Sequence, residues 1–233
     1  MNLSLSHSEL KQYISGQLDN FFPDKYKFVG ADIDRAFDTA LQRTEYCFKH
    51  ISLRYYNEQN NTCFYHLHAD QYCSFLYFLA NSLWLESQNK PLCDKLLLLN
   101  KTLNSIFISY KCKMPDIFLF SHAIGTIIGN AIYSNFLVVF QNVTVNTGDD
   151  DGTWKPPTIG KGVFLAAGSS IIGSGKIGDY SSIGINSVVF KADIPENSIV
   201  FTDSTGKLNI KDNQGACFTQ KYFNVDIKDL KWT

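Results

Sequence analysis

The sequence predicts an α+β chain: helices to about residue 114, a prism of short strands to about residue 200, then an irregular tail. Three observations predict it. Glycine divides the chain: of 15 glycines only Gly16 and Gly30 precede residue 120, and the other 13 fall between Gly125 and Gly215. Apolar residues of the first half recur at helical spacing. Apolar residues of the second half recur every sixth position. The expected segments are 1–114, 115–200 and 201–233.

The helical elements come first. Residues 31–51 bring Ile33, Phe37, Leu41 and Phe48 to one face, with Asp32 and Asp34 in the first turn, where the helix dipole favours acid. Residues 69–86 are nearly all apolar, so a helix there is buried on most sides. Pro91 suits the first turn of a helix over 91–110, with Leu92, Leu96, Leu99, Leu103 and Phe107 as its stripe. Pro115 ends the helical region. The stretch 57–68 reads as a polar loop that turns aromatic.

The repeat comes second. Apolar residues stand at Ile159, Leu165, Ile171, Ile177, Ile183 and Val189. Four positions after each come Val163, Ser169, Gly175, Ser181, Ser187 and Asp193, mostly small. A helix of period 3.6 cannot keep a six-residue repeat on one face, and a flat sheet would not need small residues at fixed places. A three-sided prism does: the apolar residue points inward, the small residue fits the corner, and three hexads close a turn. The pattern extends upstream through Ile127, Tyr133, Val139 and Val145. Between Val145 and Ile159 the spacing becomes fourteen, so a loop over 146–158 is extruded.

Composition excludes several functions. Lys plus Arg number 21 against 22 Asp plus Glu, with no basic stripe, so no nucleic-acid partner is expected. No apolar stretch reaches the ~18 residues of a membrane span. The first residues lack the charged and apolar regions of a secretion signal. The cysteines at 47, 63, 73, 93, 112 and 217 form no C-x-x-C pair and no Cys/His cluster at zinc spacing. A reduced, cytoplasmic protein without a metal is the expectation.

The hexads resemble the left-handed parallel β-helix of the hexapeptide-repeat acyltransferases. HAIGTIIG at 122–129 is similar to the histidine motif of the serine acetyltransferase branch, FQNVTV at 140–145 to its next coil, and residues 163–190 to its acetyl-CoA coils. The likeness covers about half the chain. It implies acetyl-CoA as co-substrate and a homotrimer, and the aromatic helical surface offers a way to a dimer of trimers.

Acyl transfer to a hydroxyl needs a base near neutral pH, and histidine suits it. Of five histidines only His122 lies in the repeat, and the resemblance makes it the catalytic base. An upstream aspartate orients the family's histidine. Asp116 is the candidate here, although the intervening segment is about nine residues shorter. His66 and His68 read as structural.

The family aspartate before the histidine is Ser121 here, and its Arg-His pair after the loop is Lys155-Pro156. A point-charge lysine in place of a forked guanidinium weakens recognition of an amino acid. Trp154 in the same loop suits the CH-rich face of a sugar, beside the acids at 149–151. Ser121, Trp154 and Lys155 are therefore the acceptor candidates.

Small residues should line the coenzyme A groove between neighbouring prisms: Ala166, Ala167, Gly168 and Ser169, then Gly184 and Asn186 one coil later, with Ile185 between them as a further cofactor contact. Lys191 is placed to meet a nucleotide phosphate. GSGKIG at 173–178 is not a phosphate loop, because no helix follows it.

The favoured expectation is an acetyl-CoA-dependent O-acetyltransferase acting on a sugar of a surface polysaccharide. The alternatives are a serine O-acetyltransferase of cysteine synthesis and a non-catalytic trimeric scaffold. The sequence of 217–233 lacks the terminal isoleucine that serine acetyltransferases insert into cysteine synthase.

Overall fold

The computed structural model describes residues 1–59 and 61–229. Four helices form the first half: α1 (His7–Phe21), α2 (Ala31–Phe48), α3 (Ala69–Ser87) and α4 (Lys90–Asn104). The periodicity reading missed α1. Ser6 and Glu9 close a reciprocal capping box at its start, which satisfies two otherwise orphaned N–H groups.

The apolar helix α3 is the hub. Its residues from Gln71 to Leu83 are all buried. Its polar side chains are spent on the backbone of surrounding loops. Gln71 donates to Tyr55 O at 2.7 Å and accepts from Tyr65 N–H at 2.7 Å. Asn81 donates to Tyr110 O, and Tyr77 donates its hydroxyl to Cys112 O, both at 2.7 Å. The segment that leads into the prism is thus pinned by α3.

Helix α4 stops at Asn104, short of the expected 110, with Ser105 left-handed at φ 53°. The chain is drawn away because Phe107 N–H donates to Thr126 O and residues Phe107–Ile108 pair with Ile127–Ile128. Leu103 and Phe107, expected in the buried stripe, are exposed for this reason. The first rung of the prism therefore lies ahead of residue 115.

The second half is a parallel β-helix with three faces. The first face stacks Phe118–Phe120, Leu137–Val139, Phe164–Leu165, Ser182–Ile183 and Ser198–Thr202. The second stacks Phe107–Ile108, Ile127–Ile128, Thr144–Asn146, Ser170–Ile172 and Val188–Phe190. The third stacks Ile132–Tyr133, Thr158–Ile159 and Lys176–Ile177. Ile159, Leu165, Ile171, Ile177, Ile183 and Val189 all point inward and are at most 1 % exposed. Each such burial stabilises by about 1.5–3 kcal/mol. The corner positions Val163, Ser169, Ser181 and Ser187 are buried too.

The upstream register differs at one place. Ile127 is outward and Ile128 is the buried partner of Val145. Ile128 stands five positions before Tyr133 instead of six, so the turn into the third face is one residue short, and the corner ahead of Ile127 is enlarged. Residues 121–126 separate the first-face and second-face strands of that coil, six in all, where the following coils use four, 140–143, 166–169 and 184–187.

The extruded loop forms an antiparallel hairpin, Gly148–Asp150 with Thr153–Lys155, turned at left-handed Asp151 and Gly152. An Asp-Gly pair with both residues at positive φ is what a two-residue hairpin turn requires. The side chain of Asp150 lies outside the described structure.

The stretch after 200 is less irregular than expected. Leu208–Asp212 pairs antiparallel with Ser198–Thr202, and a 3-10 helix follows at Phe218–Tyr222. That helix lays Phe218 and Tyr222 on Phe164 of the first face, with the Phe164 and Tyr222 rings stacked at 5.9 Å. Residues 230–233 of the expected tail lie outside the described residues. Among the described residues no helix is long and apolar enough to cross a membrane.

Candidate active site

His122 sits in the enlarged corner, on the edge between the first and second faces. It is exposed and left-handed, at φ 53°. A non-glycine residue in that region costs on the order of 1–3 kcal/mol unless its surroundings hold it. Two hydrogen bonds hold this one. His122 N–H donates to Oδ2 of Asp70 at 3.0 Å, and Ala123 N–H donates to Oδ1 at 3.4 Å. Asp70 stands in the first turn of α3. The imidazole itself has no hydrogen-bond partner among the described residues.

Below His122 the same edge continues through the stacked corners. Gly168 N–H donates to Gln141 O, and Asn186 N–H donates to Ala167 O. His122, Ala167 and Ile185 thus share one edge, on coils about 4.8 Å apart. Among the described residues no acceptor faces the backbone N–H of Ala167 or of Ile185. Ala167 is half-buried, and Ile185 projects as an exposed apolar side chain. A backbone donor beside a small side chain can meet an amide carbonyl of an extended ligand.

The remaining cofactor candidates divide. Ala166 is buried, and Ser169 is fully buried in its corner, where it has no path to a ligand. Gly184 is required by stacking, since a Cβ there would lie 2.7 Å from Val200 O. Lys191 stands on a different edge, between the second and third faces. Its ammonium donates to Asp149 O of the hairpin and lies over the Phe190 ring.

The structure does not bring the acceptor candidates together in one chain. Ser121 adjoins His122, and its N–H donates to Val139 O. Trp154 and Lys155 ride on the hairpin, which leaves the edge where Gly148 packs on Gly173. Trp154 is 69 % exposed.

Asp116 makes no hydrogen bond to His122 among the described residues. It lines a groove of about 350 Å³ with Gln42, Arg43, Tyr46 and Phe78. Asp70, which sequence analysis does not single out, is the carboxylate bonded to the backbone of His122 and Ala123.

The cysteines offer no nucleophile near the histidine. Burial pushes the Cys112 thiol up to about 12, so it stays protonated at neutral pH. His66 shares a hydrogen bond with Ser4 Oγ at 2.8 Å, and the His68 ring packs against Tyr55 and Tyr56. Among the described residues no group of three or more His, Cys, Asp and Glu side chains is placed to hold a metal.

No family model matches the chain. A serine acetyltransferase of Synechococcus elongatus is 31% identical over 120 residues, which cover 50% of this chain and 48% of that one. The chain spans about half the length, or less, of the curated relatives it matches. A serine acetyltransferase structure in complex with cysteine superposes with a TM-score of 0.70 at 18% identity, covering 93% of this chain and 84% of that one. Another, in complex with CoA, superposes with a TM-score of 0.65 at 19% identity, covering 87% and 84%. The chain therefore has the left-handed β-helix fold of the serine acetyltransferase structures it superposes on, and over half its length it is similar in sequence to a serine acetyltransferase.

Proposed function

We propose that the chain is an acetyl-CoA-dependent O-acetyltransferase, with His122 as its base and serine as the first acceptor to test. The observation that supports it is the shared edge. An exposed imidazole stands on the same column of corners as free backbone donors at Ala167, with its small side chain, and at Ile185. The relatives' names favour serine over the polysaccharide acceptor expected from the sequence.

In this reading acetyl-CoA lies along the edge, its pantetheine arm against Ala167. The acceptor hydroxyl gives its proton to His122 as its oxygen attacks the thioester carbonyl. The tetrahedral intermediate collapses, the C–S bond breaks, and the imidazolium returns the proton to the departing thiolate. General-base catalysis of this kind contributes about 10²–10⁴-fold. No acyl-enzyme is needed, because one groove holds both substrates.

The oxyanion donor is not the corner itself. The N–H groups of His122 and Ala123 are taken by Asp70, and that of Ile124 donates to His122 O at 2.6 Å. Asp116 has no proton-relay step in this reading.

A trimer completes the site. The hairpin leaves a different edge from His122, so Trp154 and Lys155 reach an imidazole only on a neighbouring copy. A second reading, transfer to a sugar hydroxyl, rests on Trp154, whose exposed ring suits a sugar face, and on the Lys155-Pro156 pair.

Release of free thiol from acetyl-CoA separates the readings. Serine-dependent release supports the first, and release only with sugars or nucleotide sugars supports the second. Release with neither, across a broad hydroxyl panel, defeats the transferase reading.

A further inference from the structure

We infer that Asp70 is a positioning residue for the transfer reaction: its carboxylate fills the enlarged corner and so fixes where the His122 imidazole stands. The inference rests on the reading of His122 as the base.

Three observations converge on it. The corner that carries His122 holds six residues, and the equivalent corners of the next three coils hold four. Extra residues at a corner leave backbone N–H groups without the coil-to-coil acceptors that the regular corners use. The N–H groups of His122 and Ala123 are such groups, and each meets one oxygen of Asp70. The carboxylate comes from 52 residues away, on the helix whose side chains pin the loops around it. Its position is therefore set by the helical core and is independent of the coil it serves.

The left-handed backbone of His122 completes the argument. Without the carboxylate, the two donors would turn to water and the corner could relax toward a more ordinary conformation. The imidazole would move with it. A displacement on the order of 1 Å at a catalytic group can cost about 10²-fold in rate. Asp70 never touches substrate in this scheme. It acts through the backbone of the base.

The test uses the full chain with Asp70→Ala and Asp70→Asn. Two readouts are taken: steady-state kinetics with acetyl-CoA and the accepted hydroxyl, and hydrogen exchange followed by mass spectrometry on peptides spanning 118–126. The expected result for Asp70→Ala is a fall in kcat of about 10- to 100-fold, an acetyl-CoA KM within about twofold of wild type, and faster exchange in 118–126 with the prism coils 163–190 unchanged. Asp70→Asn keeps one acceptor oxygen in place and should fall between the two. It also carries the test if Asp70→Ala does not fold.

Wild-type exchange rates in 118–126 for both variants would overturn the inference, as would wild-type kcat in both. If the wild-type chain acetylates no acceptor, the function reading fails while exchange still decides the corner: faster exchange upholds the anchoring role of Asp70, and unchanged exchange removes it.

Discussion

The helical and coiled parts of this chain bury their cores by different rules. Helix α3 packs large, unlike rings at varied angles: Phe75 against Phe37, Phe64 and Tyr72, Phe78 against Phe118. The prism stacks one aliphatic residue per hexad on its neighbours, Ile171 on Val145 and Val189, Leu165 on Val139 and Ile183. The first is a core of individual fits. The second is a ladder of equivalent ones, with backbone packed on backbone at its corners. The two parts meet at the candidate site: the prism edge presents the exposed His122 imidazole, and α3 supplies the carboxylate that bonds the backbone N–H groups of His122 and Ala123.

The largest expected effect falls at that site. His122→Ala should lose at least ~10²-fold in turnover while its melting temperature and circular dichroism stay at wild type. Asp116→Asn, in the groove against α2, should lose much less. Equal losses in the two variants would give Asp116 as large a part in turnover as His122.

Next comes the helical core. Phe75 is fully buried, and Phe75→Ala should destabilise by about 3–5 kcal/mol by chemical denaturation. A loss below about 1 kcal/mol would mean that this core repacks freely.

One substitution should then have opposite signs in the two parts. A Cβ at Gly175 would lie 2.2 Å from Ala192 O, so Gly175→Ala should destabilise by about 1–3 kcal/mol. At Gly16, inside α1, a Cβ would meet nothing within 4 Å, so Gly16→Ala should stabilise by about 0.5–1 kcal/mol. Matched effects would erase the distinction between close backbone stacking and open helix surface.

The smallest effect concerns pH. Thr205 and Asn209 side chains, then backbone N–H groups, hold the Asp203 carboxyl down at about 2. Because the folded value is depressed, the contribution is complete above the ordinary carboxylate range and is lost as pH falls toward 2. The turn at 203–207 should therefore loosen only in that acid window. Resonances of Thr205 that stay fixed from pH 5 to pH 2 would refute it.

Much of the prism was legible because a ladder must repeat: the six inward residues from Ile159 to Val189 stand where the hexads put them. The break at Ile127 was not legible, because Ile127 and Ile128 are both apolar and a turn one residue short changes only which of the two faces inward. Helix α1 carries the spacing of a capping box at Ser6 and Glu9, but its buried stripe is only Leu10, Ile14 and Leu18, about one residue per turn, which leaves little periodic signal. At the candidate site, the motif points to His122, which the structure places exposed at a corner. Asp70 was not legible, because its partner is backbone and backbone carries no sequence signature. Asp116 is six positions from His122, and on a prism six positions is a whole face, so nearness in sequence did not become contact.

The segment after Cys217 does more than cover a face. Tyr222 O accepts from Ser52 N–H, Lys221 O from Ser52 Oγ, and Asn224 bonds His50 O and Lys49 O, joining positions up to 175 residues apart. A chain made from its N-terminus holds the exit of α2 without these partners until residues 221–224 have been synthesised. Contacts across such long loops carry the greatest closure cost and form late. The clasp is therefore expected to close late in folding, and a chain that stops before residue 217 would hold helices and coils that meet at α3 without this tie.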